Sequence, residues 1–189
     1  MRRVGSLQTD EKARLGGAGL LVAGIVVAIA IATDGAVSRG INGVGALLWL
    51  GSTVLLLGAL RGGARWWPTL GLAVAATVVL SFAVEPTSIT SAVPGFAVGG
   101  AVVALVARRP VAWALTVPAL WLPVHLLTAV LPAIIRASTG GEASVRTDPP
   151  PTAAVVPLLM IVAAGVAGWL VAWVRASRSG QSGAASRRA

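Results

Sequence analysis

Charged residues are scarce in this 189-residue sequence, and cysteine and tyrosine are absent. Only 11% of the residues are charged, whereas soluble domains have about 25%. Without cysteine the chain has no disulfide, no thiolate metal site and no cysteine nucleophile. Because 56% of the residues are hydrophobic, a soluble fold of this length could not bury its apolar surface. The composition therefore indicates a single membrane domain.

The few charges divide the chain into six uncharged stretches, each long enough to cross a bilayer. These stretches contain 19, 21, 19, 22, 26 and 26 residues, and a helix needs roughly 20 to cross a hydrocarbon core about 30 Å thick. They predict an all-α, polytopic integral membrane protein with six transmembrane helices. The predicted spans are about 15–33, 42–60, 67–84, 92–107, 110–135 and 152–174.

The remaining segments are short and polar. Residues 1–14 form a cytoplasmic N-terminal segment, residues 136–151 an outer loop, and residues 175–189 a basic cytoplasmic tail that we expect to be disordered. The first span could also be a signal peptide, because an A-x-A pattern follows its apolar run. The run exceeds the usual 7–15 residues, which favours an uncleaved helix. The turn at 61–65 contains two glycines and predicts an antiparallel hairpin of spans two and three.

The arginines indicate how the spans thread through the membrane. With both termini in the cytoplasm, three basic residues lie outside, namely Arg39, Arg136 and Arg146. The other twelve lie inside: Arg2, Arg3, Lys12, Arg14, Arg61, Arg65, Arg108, Arg109, Arg175, Arg178, Arg187 and Arg188. This asymmetry follows the positive-inside rule and accounts for the net charge of +9 without nucleic acid. The excess of Arg, Ala, Val and Gly suggests the plasma membrane of a bacterium with a GC-rich genome.

The fifth span contains the only histidine, His125, and three prolines. Trp121, His125 and Thr128 follow steps of three and four and share one helix face. Prolines 118, 123 and 132 leave three backbone carbonyls without their usual donors, and these must be paired by neighbouring helices or water. His125 is therefore either a ligand or proton site, or an imidazole that joins two helices by a hydrogen bond.

A second polar stripe lies in the third span, where Thr77, Ser81 and Glu85 are spaced four apart. We expect Glu85 at the outer boundary and His125 about two turns below it. A water-filled pocket open to the outside could join these groups with Asp34 and Asn42. The alternative is that Glu85 and Asp34 are ordinary boundary residues among the lipid headgroups.

Small residues predict close packing of the fourth span against another helix. Gly95 and Gly99 are four residues apart, as are Gly100 and Ala104. Small residues at this spacing let helix backbones approach closely within a membrane. The contact could be within this chain or with a partner protein.

The sequence contains no motif of a known catalytic class. G-x-S-x-G, H-E-x-x-H and the P-loop are absent, and one histidine is a poor ligand set for zinc. We therefore expect no cofactor, no metal and no enzymatic activity. The favoured hypothesis is an accessory or structural subunit of a larger membrane complex, with a membrane-protein partner or as a homo-oligomer. The alternative is a small-solute transporter or substrate-binding component with a pocket near His125.

Overall fold

A computed structural model describes residues 2–33, 36–62, 65–85, 88–127, 138 and 151–185 of the chain. Within these residues every regular element is a helix. The α-helices are α1 (Arg2–Ala32), α2 (Ala36–Leu60), α3 (Trp66–Ala83), α4 (Ile89–Val106), α5 (Pro110–Ala114), α6 (Thr116–His125) and α7 (Val156–Ala185). A short 3-10 helix, Pro151–Val155, precedes α7.

Five of these helices are long and apolar enough to cross a membrane. Their apolar segments are Thr9–Ala32, Ser38–Leu60, Trp66–Ala83, Ile89–Val106 and Ala153–Ser179. The fifth predicted span, 110–135, corresponds to α5, α6 and a π-turn at Leu126 and Leu127. Residues 128–135 of that span lie outside the described residues. The all-helical membrane architecture agrees with the sequence prediction.

The segment α5–α6 lies at the centre of the bundle. It contacts all five long helices: α5 packs against α1, α2, α4 and α7, and α6 packs against α2, α3, α4 and α7. Four consecutive residues at the start of α6 are buried, Thr116, Val117, Pro118 and Ala119. Segment α5–α6 is therefore the core of the molecule, and the long apolar helices surround it.

The position of α6 changes the expected packing of α2 and α3. These helices are antiparallel and joined by a short turn, in which Gly62 has a φ of +112° that glycine readily adopts. They make few contacts with each other among the described residues, because α6 packs against both of them. Helix α6 thus separates the two helices of the predicted hairpin.

One proline interrupts the central helix without redirecting it. Pro118 has no N–H to donate to the carbonyl of Ala114, and the regular helix pauses at Leu115. Leu115 keeps right-handed helical angles, φ −67° and ψ −17°. Its own N–H bonds to Val111, and its carbonyl accepts from Ala119. Helices α5 and α6 therefore form one nearly straight segment.

Close packing between helices occurs where glycines face backbone. At Gly168 of α7, a Cβ atom would lie 2.9 Å from Val111 Cα and 3.0 Å from the Pro110 carbonyl oxygen of α5. At Gly16 of α1, it would lie 2.9 Å from the Leu56 backbone nitrogen of α2. Backbone cannot move aside as a flexible side chain can, so only glycine permits these crossings.

Arginines join the helix ends at one end of the bundle, which we call the basic end. Arg175 of α7 donates hydrogen bonds to the carbonyls of Leu105 and Ala107 at the end of α4. Arg109 donates to the carbonyl of Ala59 at the end of α2, at 3.4 Å. The last carbonyls of a helix have no partner within it, so these guanidinium groups cap α2 and α4.

The chain ends are more helical than the sequence predicts. Helix α1 includes the polar N-terminal segment from Arg2, and α7 continues to Ala185 where we expected a disordered tail from residue 175. Extending an existing helix adds one hydrogen bond per residue without a new nucleation cost.

Large apolar side chains cover the outer surface of the bundle. Leu47, Val54, Phe82 and Val98 are 64% to 76% exposed. Soluble monomers rarely expose contiguous apolar surface of this extent. Lipid is the solvent that suits these faces.

Candidate functional site

The carbonyl freed by Pro123 is bonded by two side chains of α2. Proline at position 123 has no N–H for the carbonyl of Ala119. Trp49 Nε1 donates to that oxygen at 3.0 Å. Thr53 Oγ1 lies 3.0 Å from it and shares its one proton between it and the Trp49 carbonyl at 2.8 Å. All these groups are buried. A carbonyl freed by proline must be paired by a neighbouring helix or by water, and α2 pairs this one.

Helix α3 bonds the same central segment from its other side. Thr77 is fully buried, and its hydroxyl bonds the carbonyl of Val117 at 3.1 Å and that of Ala73 at 2.8 Å. Ser81 Oγ bonds the carbonyl of Thr77 at 2.8 Å. The two hydroxyl groups of the predicted polar stripe are thus used in backbone hydrogen bonds.

His125 stacks on Trp121. Their ring centroids are 5.0 Å apart and the ring planes differ by 15°. Trp121 in turn contacts the ring of Trp49, with centroids 6.1 Å apart. No hydrogen bond joins the His125 imidazole to another residue that the structure describes. Thr128, the third member of the predicted face, lies outside the described residues.

The predicted outer pocket is only partly described. Glu85 is exposed just after α3, and its carbonyl accepts from the N–H of Ser88. Asn42 is exposed on α2, and Asp34 lies outside the described residues. The structure therefore brings together Trp121 with His125, and Thr77 with Ser81. The two cavities described below are lined by other residues.

The small residues of α4 serve two different contacts. A Cβ at Gly95 or at Gly99 would lie 2.9 Å from a side-chain atom of α3, Val84 Cγ2 and Leu80 Cδ1 respectively. A Cβ at Gly100 would lie 3.1 Å from both Cα and Cβ of Ala164 on α7. Ala104 is fully buried. Helix α4 is therefore packed between α3 and α7 within this chain.

A cavity of about 300 Å³ lies at the basic end. Four arginines line it, namely Arg61, Arg65, Arg108 and Arg109. Trp66 lines it too, and its indole nitrogen is buried without a hydrogen-bond partner among the described residues. Sequence reasoning missed this cavity. The signal was available, because the positive-inside pattern predicts these four arginines at one membrane face.

A larger, apolar groove of about 750 Å³ opens between α1, α5 and α7. Ala18 and Leu21 form one wall, Val162 and Val166 the other, and Leu115 lies between them. At the basic end the groove is bounded by Asp10, Arg14 and Arg109. Arg109 Nη2 lies 3.1 Å from Asp10 Oδ1 and separates the groove from the cavity.

Comparisons with known proteins identify no relative of this chain. No protein-family model, no curated protein and no solved structure matches it.

The hydrogen bonds to Ala119 predict an energetic coupling with Pro123. In the parent protein, Trp49→Phe with Thr53→Val leaves a buried carbonyl unpaired. In a Pro123→Ala background the new N–H can bond that carbonyl. The double substitution lowers the unfolding free energy in both backgrounds. We expect that loss to be about 1–2 kcal/mol smaller in the Pro123→Ala background than in the parent protein. Unfolding in detergent, followed by tryptophan fluorescence, measures both costs.

Thr69→Val provides the control for this coupling. The Thr69 hydroxyl bonds the Arg65 carbonyl at 2.7 Å, remote from Pro123. Thr69→Val should lower the unfolding free energy by the same amount in the parent and in the Pro123→Ala background. Equal costs for the Trp49 and Thr53 pair as well would contradict the assignment.

Proposed function

We propose that this protein is a non-catalytic accessory subunit of a membrane complex, and that the groove between α1 and α7 receives a transmembrane helix of its partner. The groove is the observation that supports this function best. It is lateral, apolar and built partly from small residues, including Ala18, Gly17 and Gly165. In lipid, helices associate through close van der Waals packing, and small residues permit it.

The way the core uses its hydroxyl groups supports a non-catalytic function. The buried hydroxyls of Ser52, Thr53, Thr69, Thr77 and Thr116 each donate to a backbone carbonyl. Such hydroxyls stabilise the bundle and are not positioned to act on a substrate. The absence of catalytic motifs from the whole sequence points the same way.

The charged rim favours a protein helix as the occupant of the groove. Asp10 and Arg14 are four residues apart on α1 and lie on the same side of the groove. Residues that flank a partner helix at the membrane surface could pair with either charge.

We also propose six membrane passages, with the basic end in the cytoplasm. Arg175 lies at the basic end, and Val156 is about 28 Å away along α7. The chain between Arg109 and Pro151 must therefore pass from the basic end to the opposite one. Segment 110–127 covers about 27 Å of that distance. The positive-inside rule assigns the cytoplasmic side, in keeping with a plasma membrane location.

A second candidate function is a small-solute transporter or binding component. The stack of His125 on Trp121 is the observation that favours it, because the imidazole nitrogens bond no residue that the structure describes. Histidine within a transmembrane segment is a functional-site hypothesis by default. The stack can equally be a packing contact between rings.

Filling the groove tests the accessory-subunit proposal. Ala18→Trp and Val162→Trp place a large ring in the groove without touching the core, since both residues are exposed. We expect each to reduce the partner recovered by mild-detergent affinity purification by about tenfold or more, because overpacking an interface costs about 1–3 kcal/mol. Quantitative mass spectrometry of the eluate gives the ratio of partner to bait.

Val79→Trp is the matched control for this purification. Val79 is 62% exposed on α3, away from the groove. The control should retain the partner. The proposal is wrong if the groove variants retain it equally, or if the purified particle contains only this chain.

Two substitutions at His125 separate the candidate functions. His125→Phe keeps a ring on Trp121 and removes both nitrogens, whereas His125→Ala removes the stack. For an accessory subunit, we expect His125→Phe to melt like the parent and His125→Ala to lose about 1 kcal/mol of stability. Native mass spectrometry would support the transporter instead if both variants fold and both lose a small molecule that the parent retains.

A further inference from the structure

We propose that the cavity at the basic end binds a phosphoryl group, held by Arg61, Arg65 and Arg108. This site is separate from the groove and goes beyond the accessory function. It is a ligand site for an oxyanion at the membrane surface. Guanidinium groups with no partner among the described residues line the cavity, and helix α3 begins beside it.

The charges around the cavity are unbalanced. Four guanidinium groups line it, and the described carboxylate paired with them is that of Asp10, which binds Arg109. No hydrogen bond or ion pair joins the guanidinium groups of Arg61, Arg65 and Arg108 to any residue within the described ranges. Arginine presents a planar set of donors that fits phosphate oxygens in pairs. Three such groups around one cavity are suited to a multiply charged oxyanion.

Arg109 keeps the site in place rather than binding the anion. Its Nη2 donates to Thr9 Oγ1 at 3.2 Å and lies 3.1 Å from Asp10, and its Nη1 donates to the carbonyl of Ala59. These bonds connect α1 and α2 with the start of α5. The three remaining arginines are presented by the turns that follow α2 and α4.

Helix α3 begins beside the cavity. Its first residue, Trp66, is one of the residues that line the cavity. The N–H groups and the dipole at a helix N-terminus favour an anion there.

The phosphoryl group could come from an anionic phospholipid or from a soluble phosphate compound. The cavity lies at the ends of the membrane helices, where lipid headgroups lie. The test uses the full chain in nanodiscs of phosphatidylcholine, with two probes. One probe is phosphatidylglycerol added to the disc, and the other is inorganic pyrophosphate added to the buffer. Native mass spectrometry counts retained lipid, and the shift in melting temperature reports both probes.

Matched variants identify the residues that bind. Arg61→Gln and Arg65→Gln each remove one charge from the cavity. Arg39→Gln, the control, removes one charge from the opposite end. We expect affinity to fall about fivefold in each of the two cavity variants. The control should bind like the parent.

Each outcome has a defined meaning. Phosphatidylglycerol binding alone supports the site and assigns it to a lipid headgroup, whereas binding of pyrophosphate as well assigns it to soluble phosphoryl compounds. The proposal is overturned if neither probe binds, or if Arg39→Gln weakens binding as much as Arg61→Gln and Arg65→Gln. Melting without either probe shows that each variant folds. None of these results depends on the groove or on a protein partner.

Discussion

A backbone carbonyl without a donor is costly in lipid, and that constraint organises this molecule. Water inside a soluble protein can pair such a group, but a hydrocarbon solvent offers no partner. Pro123 removes the donor for Ala119, and Trp49 and Thr53 of α2 supply two. Thr77 of α3 adds a bond to Val117. Pro123, which weakens the central helix, therefore creates the acceptor by which α2 holds it.

The same constraint explains why the proline-rich segment is central rather than peripheral. A helix facing lipid would leave its freed carbonyls in hydrocarbon. Surrounded by five helices, segment α5–α6 has the freed carbonyl of Ala119 bonded by α2. Close approach is also required, and Gly168 and Gly100 of neighbouring helices permit it. The outer helices need only apolar faces, which is the composition that they have.

Much of the architecture could be predicted from charge spacing alone. The uncharged stretches located all five long helices, because a charge inside a lipid-facing helix is costly. Proline positions identified Ala119 as an acceptor. The sequence could not assign the donors, because Trp49 and Thr53 are about 70 residues away from it. It also missed the insertion of α6 between α2 and α3, since a short turn normally predicts adjacent helices.

The candidate site was harder to predict than the fold. A water-filled pocket that includes Thr77 and Ser81 was one of two hypotheses, and in the structure their hydroxyl groups bond backbone carbonyls. A polar stripe on a helix cannot by itself distinguish a ligand site from a packing contact, because both need donors on one face. The arginine cavity depends on two turns and a helix start meeting at one end. Local spacing does not encode that meeting.

Because the chain has no cysteine, single introduced cysteines test the central claim most directly. The claim is that lipid surrounds a closed core whose polar groups are bonded internally. In right-side-out and inverted vesicles, a membrane-impermeant maleimide should label Thr90→Cys only from outside and Ser177→Cys only from the cytoplasmic side. Thr77→Cys should be labelled from neither side. Labelling of Thr77→Cys from either side would contradict the account. So would labelling of Thr90→Cys and Ser177→Cys from the same side.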